Sequence, residues 1–345
     1  MTAAVVTVRG APRQRGAMVT ALLPLAAAIA VGSLVVAWAG ASPVEFFRLL
    51  GREAFSGVDR LSATFASATP LIITGLATLI AFKAGVFNIG VEGSFIAGAF
   101  TAAIVGAGID LPGPVQIVLA VAAAMVAGAA VGWGPGWLKA RLGVDEVVVT
   151  LMGNFVVAGV VSWLLSEFFL AQGTGNAASE MVAAQTRLPS LVDGTQLTVA
   201  FLIALVLVVA TQWWLSRTTF GFELRMVGAN PRFARAQGID IARIVIVSMI
   251  ISGALGGLAG STFTLGTLGR FVDGAGANLG FNGIAVALLG RLNPIGALLA
   301  AIALGALAAA GPTVQLFIDV PLDVIRIMQG TILITAVIPL VRRRT

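Results

Sequence analysis

The sequence predicts an all-α polytopic membrane protein of about ten transmembrane helices, and three observations carry that reading. Hydrophobic residues make up 58% of the 345-residue chain, charged residues only 10%, and the mean hydropathy is +1.01. A water-soluble domain carries roughly 25% charged residues, so this chain has too few to clothe a surface that faces water. Its apolar residues are gathered into runs near the ~20 residues of one bilayer crossing. The missing residue types narrow the chemistry further. There is no Cys, His or Tyr, which removes disulfides, Cys/His zinc sites, Ser-His-Asp triads and Cys nucleophiles. Lys83 and Lys139, each followed by Ala, cannot serve a phosphate-binding G-x-x-x-x-G-K-[ST] loop.

The first span is expected at about Ala17–Trp38, behind Arg9, Arg13 and Arg15. Ala37-Trp38-Ala39 resembles a signal-peptidase site, but the apolar run exceeds the roughly 7–15 residues of a signal sequence, so it reads as a retained helix. A charged loop with weak amphipathic patterning follows at Ala41–Arg60. Further spans are expected at Leu61–Phe82, Val91–Val105, Val115–Leu138, Val147–Leu170, Leu197–Leu215, Ile244–Leu265, Gly280–Gly290, Gly296–Ala310 and Val324–Leu340. Val91–Val105 and Gly280–Gly290 are too short for a ~30 Å core at 1.5 Å per residue. They read as broken helices, tolerated at membrane depth only inside protein or beside water.

With ten spans both termini share one side. Fifteen basic residues would lie there: Arg9, Arg13, Arg15, Lys83, Lys139, Arg141, Arg217, Arg225, Arg232, Arg235, Arg243, Arg291 and Arg342 to Arg344. Five would lie opposite: Arg48, Arg52, Arg60, Arg187 and Arg270. Basic loops stay cytoplasmic, so both termini are expected there. The domain plan is a cytoplasmic segment over 1–16, a membrane domain over 17–341 and a cytoplasmic tail over 342–345. The net charge of +6 belongs to cytoplasmic loops and membrane lipid and implies no nucleic-acid partner.

A short interrupted segment followed by a Gly/Ala-rich span occurs twice, at Asn88–Gly132 and at Leu279–Gly311. Two five-helix halves necessarily have opposite topology, and paired broken segments in inverted halves point to a binding site between them. The small-residue pairs Gly253–Gly257, Gly256–Gly260, Gly296–Ala300 and Gly305–Ala309 let helix backbones approach closely, within the chain or between subunits.

Few ionisable groups fall at membrane depth. Glu92 and Asn88 stand at i, i+4 in Phe87-Asn-Ile-Gly-Val-Glu-Gly-Ser-Phe95. A carboxylate there needs water or partners, either along a solute path or as a structural lock taking N–H bonds at a helix start, where the dipole favours an anion. Asn154 with Phe155 suits a ring-bearing polar solute or an interhelical hydrogen bond. Phe281 and Asn282 sit in the second short segment. The candidate solute path is therefore Asn88, Glu92, Asn154, Phe155, Phe281 and Asn282. Glu167 lies near its span's outer end and reads as interfacial.

The loop Arg217–Arg243 contains Gly228-Ala-Asn-Pro-Arg-Phe-Ala-Arg-Ala-Gln-Gly238. Asn230 fits an N-cap, Pro231 the first helical position and Gly238 the residue past the end, specifying a short helix over Pro231–Gln237. Glu223, Arg225, Arg232 and Arg235 flank it or lie on it and suit charge-assisted bonds to a partner.

That loop motif closely resembles the cytoplasmic motif of ABC-importer permeases for simple sugars, nucleosides and branched-chain amino acids. Phe87–Phe95 looks like the signature of the nucleoside branch served by basic-membrane-protein-type lipoproteins, which often has Gln where Ser94 stands. Val149-Thr-Leu-Met-Gly-Asn-Phe155 resembles the family's Thr-Ile-Met-Leu-Asn-Tyr segment, with Gly153 for Leu and Phe155 for Tyr. The resemblance spans roughly residues 60–340. It implies a permease in the bacterial inner membrane with no cofactor of its own and no catalytic activity. The implied partners are a second permease, an ATPase subunit and an extracytoplasmic substrate-binding lipoprotein. It also implies that Glu223, Arg225, Gly228, Asn230, Pro231, Phe233, Ala234, Arg235 and Gly238 form the coupling element that docks on the ATPase. Nucleosides are the first expectation for the solute and simple sugars the second. An ion-coupled secondary transporter using Glu92 is the competing class.

Overall fold

The computed structural model describes residues 14–109, 111–173, 176–318 and 323–341. Residues 1–13 of the expected N-terminal segment and the expected tail 342–345 lie outside the described residues. Thirteen α-helices follow in order: α1 (Gln14–Trp38), α2 (Pro43–Phe55), α3 (Val58–Lys83), α4 (Val91–Gly108), α5 (Gly113–Leu142), α6 (Glu146–Phe168), α7 (Ala200–Arg217), α8 (Thr219–Ala229), α9 (Pro231–Ala236), α10 (Ile241–Phe263), α11 (Leu279–Leu289), α12 (Pro294–Ile318) and α13 (Asp323–Val341). Among the described residues no strand forms, only the bridges Ala178–Val272 and Ser190–Thr198. The chain is therefore all-α.

Each of the ten expected apolar segments falls on a helix. Among the described residues seven helices are long and apolar enough to cross a bilayer, or eight if the bent pair of α1 and α2 counts as one span, against the ten expected. Three local expectations are corrected. The segment at Val91 does not stop at Val105. It continues to Gly108, giving 18 residues and about 27 Å at 1.5 Å per residue. The expected loop 41–60 holds α2, which turns 119° from the end of α1. Ser42 Oγ accepts from the Glu45 N–H, and Pro43 stands at the first helical position, which is why a charged stretch folds as a helix here. The basic loop after α7 contains α8 as well as α9, with Thr218 Oγ1 accepting from Gly221 N–H at 3.1 Å. The short segment at Gly280 remains short: α11 has 11 residues.

The core is built from small residues. A Cβ on Gly257 would fall 2.1 Å from Ala124 O of α5, and one on Gly260 would fall 2.1 Å from Phe95 O of α4. Gly253 meets Gly128 O at 2.3 Å, and Gly98 meets Gly257 Cα at 2.4 Å, by the same construction. Helix α10 thus lies backbone to backbone against α4 and α5, so these glycines pack within one chain. Close approach of this kind substitutes for the hydrophobic drive that lipid does not provide. Replacement of Gly257 by Ala forces α10 off α5 and should lower the midpoint of thermal unfolding in detergent by several degrees, for an overpacking cost of about 1–3 kcal/mol. An unchanged midpoint would contradict the packing described.

Candidate functional site

Two interruptions of helical structure meet inside the bundle. The first is the stretch 84–90 between α3 and α4. The second begins where α10 passes into a π-helical turn, Thr264–Leu268, and continues as a loop to Asn278. The loop ends at the start of α11, where Thr74 Oγ1 of α3 donates to Leu279 O at 3.1 Å. Thr74 stands 16 residues after Val58 and nine before Lys83, so α11 starts about 24 Å and about 14 Å from the two ends of α3. The first break leaves α3 at its Lys83 end, whereas the start of α11 lies deep within the bundle.

Backbone groups freed at that depth need partners, and side chains supply them. Glu92, on the first turn of α4 and 5% exposed, faces the start of α11. Its Oε1 accepts the Asn278 N–H at 2.7 Å, and its Oε2 accepts those of Gly280 at 2.7 Å and Phe281 at 3.2 Å. One carboxylate thereby satisfies three donors that a helix start leaves open, at the end where the dipole favours an anion. Asn278 holds φ 72° to aim its N–H, a left-handed conformation that Asn tolerates. Gly280 admits the carboxylate, since a Cβ there would lie 2.4 Å from Glu92 Cα.

The stretch 84–90 is tied in the same way. Asn88 Oδ1 accepts the Gly90 N–H at 2.8 Å, and its Nδ2 donates to Ser252 Oγ of α10 at 2.8 Å. Asn154 of α6 uses both ends of its amide: Oδ1 accepts the Gly93 N–H at 2.9 Å and Nδ2 donates to Ile89 O at 3.1 Å. Thr150 Oγ1 accepts the Ile89 N–H at 3.3 Å. The Phe87 N–H reaches Glu146 Oε1 at 3.5 Å, while Glu146 Oε2 pairs with Lys139 Nζ at 2.6 Å. A cavity of about 240 Å³ opens beside Asn88 and Gly90, walled by Gly132, Pro135, Thr150 and Gly153 of α5 and α6.

Of the six expected path residues, the structure brings Asn88, Glu92, Asn154 and Phe281 together, with Asn282 next to Phe281 on α11. Phe155 does not join them. One residue along from Asn154, it is turned about 100° around α6 and is 66% exposed on the outer side. Glu167 stands in the last turn of α6 and is exposed. Ser252, Thr150 and Gly280 were not singled out from sequence. A lone Ser in α10 or a Gly in a Gly-rich chain carries no local signal, because its partner lies more than 60 residues away.

Helix α9 has the expected caps. Asn230 Oδ1 accepts the Phe233 N–H at 3.1 Å, Pro231 opens the helix, and Gly238 stands beyond its end at φ 81°. Ala234 is buried, whereas Phe233, Arg232 and Arg235 are exposed. Glu223 is half-buried on α8, and Arg225 Nε donates to Gly221 O at 3.2 Å. Gly228 rests on the stretch after α3: a Cβ there would fall 2.1 Å from Lys83 O and 3.0 Å from Gly85 N. Gly228 of α8 therefore touches the first break through its backbone, beside the apolar packing of Leu224 and Val227.

A bundle of apolar helices with two breaks, the second held by one carboxylate and the first met by Gly228 of α8, defines a polytopic membrane protein. The chain belongs to the family described as branched-chain amino acid transport system / permease component, which matches residues 60–337. It is 35% identical over 319 residues to the guanosine ABC transporter permease protein NupP of Bacillus subtilis, covering 91% of this chain and 92% of that one. It is 32% identical over 304 residues to the nucleoside ABC transporter permease protein NupB of Lactococcus lactis, covering 84% of each. The glucose ABC transporter permease protein TsgB13 of Haloferax volcanii is also 32% identical, over 326 residues covering 91% of this chain and 86% of that one.

Replacement of Glu92 by Gln leaves one acceptor oxygen for three N–H groups and turns an amide donor toward them. Each unsatisfied buried donor costs about 1–3 kcal/mol. The variant should insert into the membrane at near wild-type amounts, melt earlier in detergent and lose most uptake. Gly280→Ala should reproduce that phenotype while keeping the charge of Glu92, because a Cβ there would fall 2.8 Å from its Oε2. Normal uptake and melting in both variants would contradict a role for this contact.

Proposed function

We propose that this chain is the membrane-spanning permease subunit of an ATP-driven ABC importer and that its solute is a nucleoside. The observation that carries this reading is the 35% identity to a guanosine permease over nine-tenths of both chains. The unit of α8, whose Gly228 rests on the break after α3, and the capped α9 that follows it supports it, because a permease driven from outside needs a rigid cytoplasmic element joined to its membrane part. ATP hydrolysis then takes place on a separate subunit, which α8 and α9 meet through Glu223, Arg225, Phe233 and Arg235. Pairing with a second permease is supported by NupQ of B. subtilis, named like NupP as a guanosine permease and 30% identical to this chain. A substrate-binding lipoprotein completes the importer on the outer face of the bacterial inner membrane.

In this reading both termini are cytoplasmic and the domain plan stands as drawn from the sequence. Asn88, Glu92 and Asn154 shape the solute path by holding its backbone, and Phe281 and Asn282 stand on it. A simple sugar is the second solute reading, favoured by the similarity to TsgB13. The ion-coupled alternative has less support, since both oxygens of Glu92 already accept backbone N–H groups.

Two experiments test the assembly and its orientation. Replacing Phe233-Ala-Arg235 with Gly-Ser-Gly should leave the protein inserted and folded. The variant should lose the co-purifying ATPase or abolish substrate-stimulated hydrolysis; full ATP-driven uptake by this variant would reduce α9 to a surface feature. Ser190 is exposed in the segment between α6 and α7, and the chain has no Cys. Ser190→Cys should react with a membrane-impermeant thiol reagent in intact cells, whereas labelling only after lysis would reverse the topology.

A further inference from the structure

The loop that leads into α11 is open where a lipid-facing segment would be closed. Asp273, Gly274, Ala277 and Asn278 are exposed, and their backbone is not helical. Asp273 Oδ2 accepts from Ser162 Oγ of α6 at 2.7 Å. Ser162 is six residues from the end of α6, which places that carboxylate about 9 Å inside the helix end. Irregular backbone at such depth persists only within protein or beside water, and an exposed carboxylate there requires water. This loop wall is therefore wet down to the start of α11.

At its lower end stand Asn278, Phe281 and Asn282, whose side chains take no part in the bonding to Glu92; the half-buried Phe281 ring packs on Ile284 and Leu288. Phe281 and Asn282 lie on the first turn of α11, and Asn278 is the left-handed residue just before it. Asn278 is exposed, and Phe281 and Asn282 are half-buried. Asn282 donates its backbone N–H to Asn278 O at 2.8 Å, which fixes the two amides one turn apart. Gly280 and Gly283, on the opposite side, are packed against Glu92 and Thr74. Ala285, one turn further along the open face, is 3% exposed, so the open stretch ends there. The arrangement is an aromatic ring beside two carboxamides, at the foot of a water-exposed wall.

We propose that Asn278, Phe281 and Asn282 form the solute-contacting face of the permease and read the base of a nucleoside, the ring by stacking and the carboxamides by hydrogen bonds to the base edge. The proposal rests on the nucleoside reading above and deepens it. A carboxamide offers a donor and an acceptor side by side, the pattern that matches a purine edge, and bases outside a duplex are held by an aromatic face together with edge hydrogen bonds. By contrast Asn88, Glu92 and Asn154 are buried with their polar atoms engaged by the protein, so they position this face without meeting the solute.

The test uses the complete complex of both permeases, ATPase and binding protein in proteoliposomes, with radiolabelled guanosine as probe and glucose as control. Asn278→Gly keeps the left-handed backbone and its N–H to Glu92 while deleting the amide; Asn282→Ala deletes the second. The double variant should insert, assemble with its partners and raise the KM for guanosine uptake roughly tenfold, a loss of about 1.4 kcal/mol. Phe281→Leu should also raise KM. In the Cys-free chain, Asn282→Cys should react with a water-soluble methanethiosulfonate and be protected by guanosine. Wild-type KM in the double variant, or no aqueous reactivity at Asn282→Cys, overturns the proposal and makes this face a subunit contact. If the wild-type complex takes up glucose and not guanosine, the nucleoside reading falls and the base-reading role with it. The wild-type arm thus judges the function, and the variant arm judges the residues.

Discussion

A single carboxylate decides whether two stretches of non-helical backbone can coexist inside the bundle. Each break of a helix at membrane depth strands N–H and C=O groups that lipid cannot satisfy. Glu92 takes three of those donors at the start of α11, and it sits where it does because Asn88, Thr150 and Asn154 hold the stretch just before it. Without that anion, α11 would begin with unpaired groups in the interior. The loop from α10 would then have no fixed landing point, and the polar face of α11 would lose its position. The glycines of α10 contribute by bringing α4 close enough for the side chain to reach.

The bonding extends to both ends of the molecule. On one side the loop 269–273 is joined to the segment after α6: Ser179 N–H donates to Phe271 O at 2.8 Å, Val182 N–H to Gly269 O at 2.9 Å and Asp273 N–H to Ala177 O at 2.9 Å. On the other side Gly228 of α8 abuts Lys83 and Gly85. A chain of backbone contacts therefore runs from the long segment 169–199 through the α11 start and Glu92 to the α8–α9 unit. Physical continuity of this kind is a route for motion, and whether the two ends bias one equilibrium is a separate, measurable quantity.

Much of the fold is legible in the sequence because the bilayer imposes a length and a polarity on each helix. The runs near Ala17, Leu61, Val115 and Val147 declare themselves by composition alone. Cap chemistry exposes α9, where Asn230, Pro231 and Gly238 mark start and stop within eight residues. Helix α2 is hidden because its Arg and Glu residues resemble a loop by composition, and only Ser42-Pro43 marks the start. The site is legible in part. Glu92 stands out because a carboxylate in an apolar run is costly, and a lock at a helix start is among the roles the sequence leaves open. The paired short segments point to α11 as its neighbour, but the groups it bonds are not readable, since Asn278 and Gly280 lie almost 190 residues away and contribute backbone, which no side-chain pattern encodes. Phe155 misleads for a related reason: adjacency to Asn154 in sequence becomes divergence on a helix.

The joint between Gly228 and Gly85 has a mechanical consequence. Most interfaces between moving parts are lined with side chains, which absorb a push by changing rotamer before the backbone follows. At Gly228 and Gly85 main chain bears on main chain, so that point of contact has no rotameric slack of its own. A displacement of α8 is met by Lys83 and Gly85 at once, and the lag between stroke and response is set by helix stiffness and not by side-chain relaxation. The same bareness makes the joint intolerant: even a methyl group at position 228 would act as a permanent shim between the two parts.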